Sequence, residues 1–345
     1  MKTPTSLWRL PIFLAALICA TLAQAGDTSS GYVQSVVGDS AHWGGTSWTT
    51  ADLDQFAGEP ETVTTSTTSL LLRYSYFTSN YDTAKMSPIW VAHIDTANSA
   101  KAAATRKGGI WDRGKYKFHP DANVVEFDRQ HQLDWVTDAD YTNANPSIFR
   151  PVTAKNRITR GHMASNLEMK GNGSDDDAGM LSQKESFSFA NVCPQMQGHN
   201  APLWSTLEGD CLMLAGKLGR VAVITGPIYE KPKRIQRQGG RRVAMITGPI
   251  AQLPTTAAPT GKCAIPIPTH FFKVIIATVD GHTEALAFLI PHVPNLTADQ
   301  LLDYAVSVRE VEKATGINFM PKLGRNDDVE DHPSDQLLDI LQKVD

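Results

Sequence analysis

The sequence predicts an α+β fold: a mainly antiparallel sheet flanked by helices. Three observations carry that expectation. Aromatic and β-branched runs recur between turn residues, Asp280-Gly281 joins two of them as a hairpin would, and helical patterns with recognisable ends are interspersed among them. With 345 residues and 41% hydrophobic content, the chain has enough apolar surface for a sizeable core.

Residues 1–25 stand apart from that core. Lys2 and Arg9 precede and enter a mostly apolar run from Leu10 to Leu22, and Ala23-Gln24-Ala25 supplies a small-x-small site before Gly26. This is the pattern of a cleavable secretory signal, so a secreted or periplasmic location is expected. The run is short for a membrane span and no later stretch is long enough, so no stable membrane association is expected. Removing the segment takes away two basic residues and no acidic one, so the net charge of −4 becomes −6. A chain of this charge does not owe nucleic-acid affinity to bulk positive charge, although a locally basic cleft remains compatible with it.

Residues 26–69 are rich in Ser, Thr and Gly and read as a poorly ordered lead-in or an irregular cover. Regular structure is expected from LLLRYSYFTSNYDT and MSPIWVAHIDT, the first strands. The following SAKAAATRKGGIWDRGKYKFHPD reads as a loop because of Gly108, Gly109 and Gly114. VAVITGPI at 221–228 and VAMITGPI at 243–250 are near-copies, each an apolar strand ending in Gly-Pro. Lys231, Lys233, Arg234, Arg237, Arg241 and Arg242 lie between them, either as a solvated hairpin loop or as a contact surface for a phosphate backbone. THFFKVIIATV and TEALAFLIPH form the hairpin through Asp280-Gly281. Ser307 and Glu310 make a capping box for a helix ending at Gly316, and QLLDILQKV reads as a terminal helix in an acidic tail, 324–345. The principal domain is thus expected over 70–323.

Cys19 lies in the expected signal, leaving Cys193, Cys211 and Cys263. In an exported chain these allow one disulfide, for which Cys193 with Cys211 is the pairing considered, or three free thiols.

The chemistry concentrates between Arg160 and Glu208. His162 is a group that accepts a proton near neutrality, Gly161 before it permits close backbone approach, and Arg160 could face an anion. In NAPLWSTLE, Leu203, Trp204 and Leu207 have the spacing of a buried helix face, with Asn200 at or near the N-cap and Pro202 near the start. On one continuous helix Glu208 lies about 80° around from Asn200. An asparagine and a glutamate so placed could hold an oxygen-seeking cation, or could be an ordinary cap and a solvated acid.

Taken in order, R-G-H, N-x-x-P-Q and N-x-x-x-W-x-x-L-E resemble the DNA/RNA non-specific endonucleases of the ββα-metal superfamily, a group with secreted and mitochondrial members. YSYFTSNYDT, PIWVAHI, VITGPIY, IPTHFFKVII and VREVEKATGINF extend the resemblance from about residue 70 to about residue 323. It implies a ββα-metal catalytic element, with His162 as general base, Asn200 as the direct protein ligand of Mg2+ and Glu208 reaching the ion through water. Mn2+ would be a substitute ion. Asn191 would help position the histidine, and Arg160 and Arg113 would meet the phosphate, Arg113 matching the family's upstream arginine segment better than Arg106. The implied reaction is hydrolysis of DNA and RNA to 5′-phosphate and 3′-hydroxyl ends.

Two features depart from the family pattern. Thr159 stands where the family usually has aspartate, and GNGSDDD lengthens the interval between His162 and Asn191 with Asp175, Asp176 and Asp177. They leave two alternatives: a catalytically weakened nucleic-acid-binding protein of the same fold, or a phosphodiesterase acting on a different ester.

Overall fold

The protein is described here by a computed structural model covering residues 34–37, 51–62, 69–131, 135–138, 141, 153–229, 252–254, 264–323 and 327–343. Residues 1–25, the basic segment 231–242, the second near-copy 243–250 and Cys263 lie outside the described residues.

Among the described residues, fourteen strands run in chain order: β1 (Gln34–Val37), β2 (Glu61–Thr62), β3 (Ser69–Arg73), β4 (Phe77–Asp82), β5 (Ser87–Thr96), β6 (Ile158–His162), β7 (Val192–Met196), β8 (Arg220–Ile228), β9 (Gln252–Pro254), β10 (Ala264–Pro266), β11 (His270–Val279), β12 (His282–Pro291), β13 (Ala305–Val306) and β14 (Ile317–Asn318). Eight of them form one sheet in the order β1-β3-β4-β5-β8-β11-β12-β13. Only β1 joins it in parallel; the other pairings are antiparallel, as the α+β reading expects. Three two-stranded ribbons, β6-β7, β9-β10 and β2-β14, lie outside this sheet.

Strand alternation divides the core into two layers. Val91 on β5, Val221 and Val223 on β8, and Phe271, Ile275 and Ala277 on β11 face one layer, together with Trp204 before the Ser205–Leu218 helix and Leu207 and Leu214 within it. Trp90, Ala92 and Ile94, Ala222 and Ile224, and Phe272, Val274 and Ile276 face the other, where Val308 and Val311 of the Val308–Thr315 helix pack. Each fully buried large apolar side chain contributes about 1.5–3 kcal/mol, so Trp204, Leu207 and Leu214 alone dock the first helix firmly. That helix is the floor on which the candidate site rests.

The hairpin and capping signals hold. Asp280 (φ 50°) and Gly281 (φ 84°) make the two-residue turn between β11 and β12, whose positive φ values suit the right-handed twist of the pair. The Ser307–Glu310 capping box opens the Val308–Thr315 helix, and Gly316 (φ 71°) closes it in the left-handed conformation. The terminal helix spans Asp335–Gln342.

Three expectations need correction. Within SAKAAATRKGG, the segment read as loop, the first part is helical over Ala97–Thr105; alanine-rich propensity and a Thr96–Ser99 capping box prevail, and the glycines only end it. The lead-in is partly regular: β1 pairs with β3, and Leu53 and Phe56 enter the second core layer. Cys193 and Cys211 are both free and buried; the Cys193 thiol turns instead to the hydroxyls of Ser87 and Tyr229, at 3.5 and 3.4 Å.

Candidate active site

The site begins at the ribbon of β6 and β7, where Gly161 pairs with Cys193 and His162 with Val192. An ideal Cβ on Gly161 would come within 2.2 Å of Gln195 Oε1 and 2.6 Å of Gln195 Cβ, so the glycine is required by the Gln195 side chain lying across it. Gln195 Nε2 in turn donates to His199 Nδ1 at 2.8 Å. The chain then makes one helical turn, Gln197–His199, before Asn200. Ala201 is extended (φ −150°, ψ 131°), and the continuous helix starts at Ser205. Asn200 is therefore not the N-cap of the helix that carries Glu208. The cause is Pro202, which has no N–H to donate and pushes its predecessor out of the helical region.

The kink nevertheless leaves Asn200 and Glu208 on one wall. A pocket of about 370 Å³ is lined by both, together with Arg113, Arg160, Thr159, Phe118, Gln197, Ala201 and Ser205. Its ion-binding candidates are oxygen donors, an amide and a carboxylate, with no imidazole or thiol in the wall among the described residues. That donor chemistry fits a hard cation such as Mg2+. Arg160 lies over the rings of Phe118 and Tyr141, at 5.4 and 5.5 Å, and pairs with Asp138 at 2.6 Å. Arg113 reaches the pocket from a short 3-10 turn, over the Phe187 ring.

His162 is not part of this wall. It is buried against Phe118, which lines the pocket, and against Phe187, with ring centroids 5.2 and 5.0 Å away. Its Nε2 has no hydrogen-bond partner among the described residues. Burial, and then the positive charge of Arg113, pull its pKa down to about 3, so the imidazole is neutral at physiological pH. Asn191 lies deeper, fully buried, bonded to Ala164 and Ser186. Glu208 is half-buried; withdrawal from water and then the nearby Glu168 carboxylate push its pKa up to about 8.

The two departures from the expected pattern have local explanations. The Thr159 hydroxyl donates to the Gln195 carbonyl at 2.9 Å, tying β6 to β7. The acidic insert is not a loose loop: Asp175 caps the Asp176–Glu185 helix by accepting from Ala178, and Asp176 and Asp177 occupy its first turn, where the helix dipole favours negative charge. Arg106 fixes its base by donating to the carbonyls of Lys170, Asn172 and Asp175 at 2.8–2.9 Å.

Phe118, Gln197 and Ser205 were not singled out in the sequence; an aromatic residue in the otherwise polar KYKFHPD was the available signal for Phe118. A second omission lies beneath the pocket, where His93, Asp95, Glu168 and Lys273 are completely buried together. Glu168 and Asp95 raise the His93 pKa to about 9 against the opposing effect of burial. The signal was charge inside two apolar strand sequences, PIWVAHIDT and THFFKVIIATV.

Residues 57–326 match the family model for DNA/RNA non-specific endonucleases. The mitochondrial nuclease EXOG of Danio rerio is 30% identical over 254 residues, 72% of this chain and 60% of that protein. The mitochondrial Nuclease 1 of Schizosaccharomyces pombe is 28% identical over 249 residues, 71% of this chain and 64% of that protein. The chain thus spans under two thirds of the length of either relative. The fold is similar to that in the crystal structure of an EndoG/EndoGI complex, with a TM-score of 0.52 and 23% identity, covering 74% of this chain and 86% of that one. Both relatives are named as mitochondrial nucleases, and this overturns the secreted or periplasmic expectation. No helix among the described residues is long and apolar enough to cross a membrane.

Proposed function

Because the chain belongs to the DNA/RNA non-specific endonuclease family, we propose that it is a Mg2+-dependent endonuclease that hydrolyses phosphodiesters in both DNA and RNA. The observation that carries this reading is the convergence of Arg113, Arg160, Asn200 and Glu208 on one pocket, with neutral His162 packed against its Phe118. Residues 70–323 form the catalytic domain in this reading, and residues 231–242 are a candidate contact for the substrate backbone.

Arg113 and Arg160 supply positive charge and planar hydrogen-bond donors for the phosphate oxygens. Arg160 exchanges its contact with Asp138 for the substrate. His162 accepts the proton of the attacking water at Nε2, a task for which its neutral state leaves the lone pair available. Asn191 acts as a positioning residue by holding the backbone that follows His162. Asn200 through its side-chain oxygen, and Glu208 through water, would hold Mg2+, with Mn2+ as a substitute. When bound, the ion supplies electrostatic stabilisation of the developing charge and of the departing 3′ oxygen. Water is the nucleophile, so no ribose 2′-hydroxyl is consumed, and the products carry 5′-phosphate and 3′-hydroxyl ends.

The test is incubation of the protein with supercoiled plasmid and with RNA, with Mg2+ and with EDTA, beside His162→Ala. Cutting of both polymers by the wild type in Mg2+, abolished by EDTA and reduced about 10²–10⁴-fold in the variant, is the expected result. Binding without cutting would move the assignment to a nucleic-acid-binding protein of the same fold; hydrolysis of small diesters alone would move it to a phosphodiesterase.

A further inference from the structure

The sheet face beneath the Glu208 helix is mostly apolar but carries one cluster of charged side chains. On β5 the residues turned to that face include Val91, His93 and Asp95; on β11 they are Phe271, Lys273 and Ile275. Glu168, from the Asn166–Met169 turn just after β6, meets them from the other side. All four charged side chains are completely buried. Both His93 nitrogens, both Asp95 oxygens, Glu168 Oε1 and Lys273 Nζ have no hydrogen-bond partner among the described residues. Ion pairs at 3.6–3.8 Å link these groups, but none closes to a hydrogen bond, and buried charges held together at that distance without hydrogen bonds leave room for an ion between them.

The spacing says what. His93 Nε2 lies 3.7 Å from Asp95 Oδ2 and 3.6 Å from Glu168 Oε1. These distances exceed the hydrogen-bond range of about 2.7–3.2 Å. They approach the edge of a metal polyhedron, since two donors about 2.1 Å from one ion at a tetrahedral angle are about 3.4 Å apart. The three donor atoms all lie within 4.8 Å of one another. We propose that His93, Asp95 and Glu168 hold a divalent transition-metal ion of the Zn2+ class in the protein interior, at a site separate from the cleft cation.

The donor set selects that class. One imidazole with two carboxylates suits Zn2+, whereas Mg2+ takes oxygen donors and retains much of its water. The ligands are also held in place. Glu168 Oε2 accepts from the Ser165 N–H at 2.8 Å, which aims Oε1 inward, as outer-shell bonds do for metal-binding carboxylates. His93 and Asp95 lie two residues apart on a strand whose neighbours are β4 and β8. Lys273, an ammonium that cannot ligate, lies 3.8 Å from Glu168 Oε1 and over the Trp204 ring, and it flanks the site as a counter-charge to Glu168. An ion here fastens the segment that follows His162 to the central sheet.

The test reads metal rather than cleavage, so its failure is separate from failure of the nuclease assignment. Full-length protein, passed through gel filtration in metal-free buffer, should retain about one equivalent of Zn2+-class metal by mass spectrometry. Anomalous diffraction at the metal edge should place it between His93, Asp95 and Glu168. Asp95→Asn and Glu168→Gln should lower retention about 10–100-fold, while Asn200→Ala, a change in the cleft, keeps the full equivalent. Should either variant fail to fold, wild-type protein unfolded and refolded with and without ZnCl2 decides the matter: a higher Tm saturating at one equivalent supports the site. Wild-type protein with only traces of metal, and a Tm indifferent to Zn2+, overturns it.

Discussion

The carboxamide of Asn191 engages both backbone groups of Ala164: Oδ1 accepts from its N–H and Nδ2 donates to its C=O, each at 2.8 Å. Nδ2 also donates to the Ser186 carbonyl at 2.9 Å, and the Asn191 carbonyl accepts from Met163. The chain leaving His162 is thereby fixed by one buried side chain. Asn191→Asp keeps the shape but loses both donations and sets an oxygen against two carbonyls. The expected cost is about 2–3 kcal/mol in urea unfolding, with kcat falling while KM changes little. Unchanged kcat in a variant destabilised to that extent would remove Asn191 from the positioning role.

A second bond of this kind makes the fold acid-sensitive. His292, 2% exposed, accepts from the Met196 N–H at Nε2, 2.7 Å away, and donates from Nδ1 to the Pro268 carbonyl at 2.9 Å. Acceptance from Met196 requires Nε2 unprotonated, and burial, against the opposing pull of the Pro268 carbonyl, lowers the pKa from 6.5 to about 4. The unfolded chain therefore takes up this proton at higher pH than the folded one. The contribution is complete above pH 6.5 and is lost as pH falls through 6.5 toward 4, at most about 3 kcal/mol. Urea midpoints measured from pH 7.5 down to pH 4.5 should show this loss, and His292→Gln, which can keep an acceptor and a donor, should flatten it. An equal acid slope in the variant would assign the sensitivity elsewhere.

Local patterns of turn and cap were legible because each is written in two or three adjacent residues: Asp280-Gly281, and Ser307 with Glu310 and Gly316. The helix Ala97–Thr105 was less so, because its cap is Thr96 with a serine, Ser99, at the third position, and because later glycines suggested a loop throughout. The kink at Ala201 follows from Pro202, yet a periodicity argument extends a helix through it. The ordered motif from Arg160 to Glu208 placed Arg160, Asn200 and Glu208 on one pocket wall with no help from distance. The buried cluster at His93 was hidden because Glu168 and Lys273 lie far from His93 and Asp95 in the chain and only strand pairing brings Lys273 to the face of Asp95.

Two arginines in the same polar segment have separable roles. Arg106 is occupied with three backbone carbonyls at the base of the acidic insert, whereas Arg113 lines the pocket. Arg113→Ala should lower kcat/KM about 10²-fold or more with little change in Tm. Arg106→Ala should instead free two part-buried carbonyl partners and an exposed one, cost about 1–3 kcal/mol, and leave kcat near normal at temperatures where the variant is folded. Thermal melts alongside steady-state cleavage separate the two, and an exchange of the two phenotypes would reverse the assignment.

Gly161 is the tightest position beside His162, because a methyl group there meets Gln195 Oε1 at 2.2 Å and Gln195 Cβ at 2.6 Å. A long side chain can swing its terminal oxygen aside, but Cβ moves only with β7 itself. Gly161→Ala should therefore spread the β6-β7 ribbon, cost about 1–3 kcal/mol as overpacking does, and break the Gln195–His199 bond that steadies the turn before Asn200. Activity should fall with it. Pairing the change with Gln195→Gly removes the atoms the new methyl group meets, so the double variant should be more stable than the sum of the two single losses predicts. Strict additivity in urea unfolding would show that the glycine serves the backbone of β6 alone and that Gln195 is not its reason.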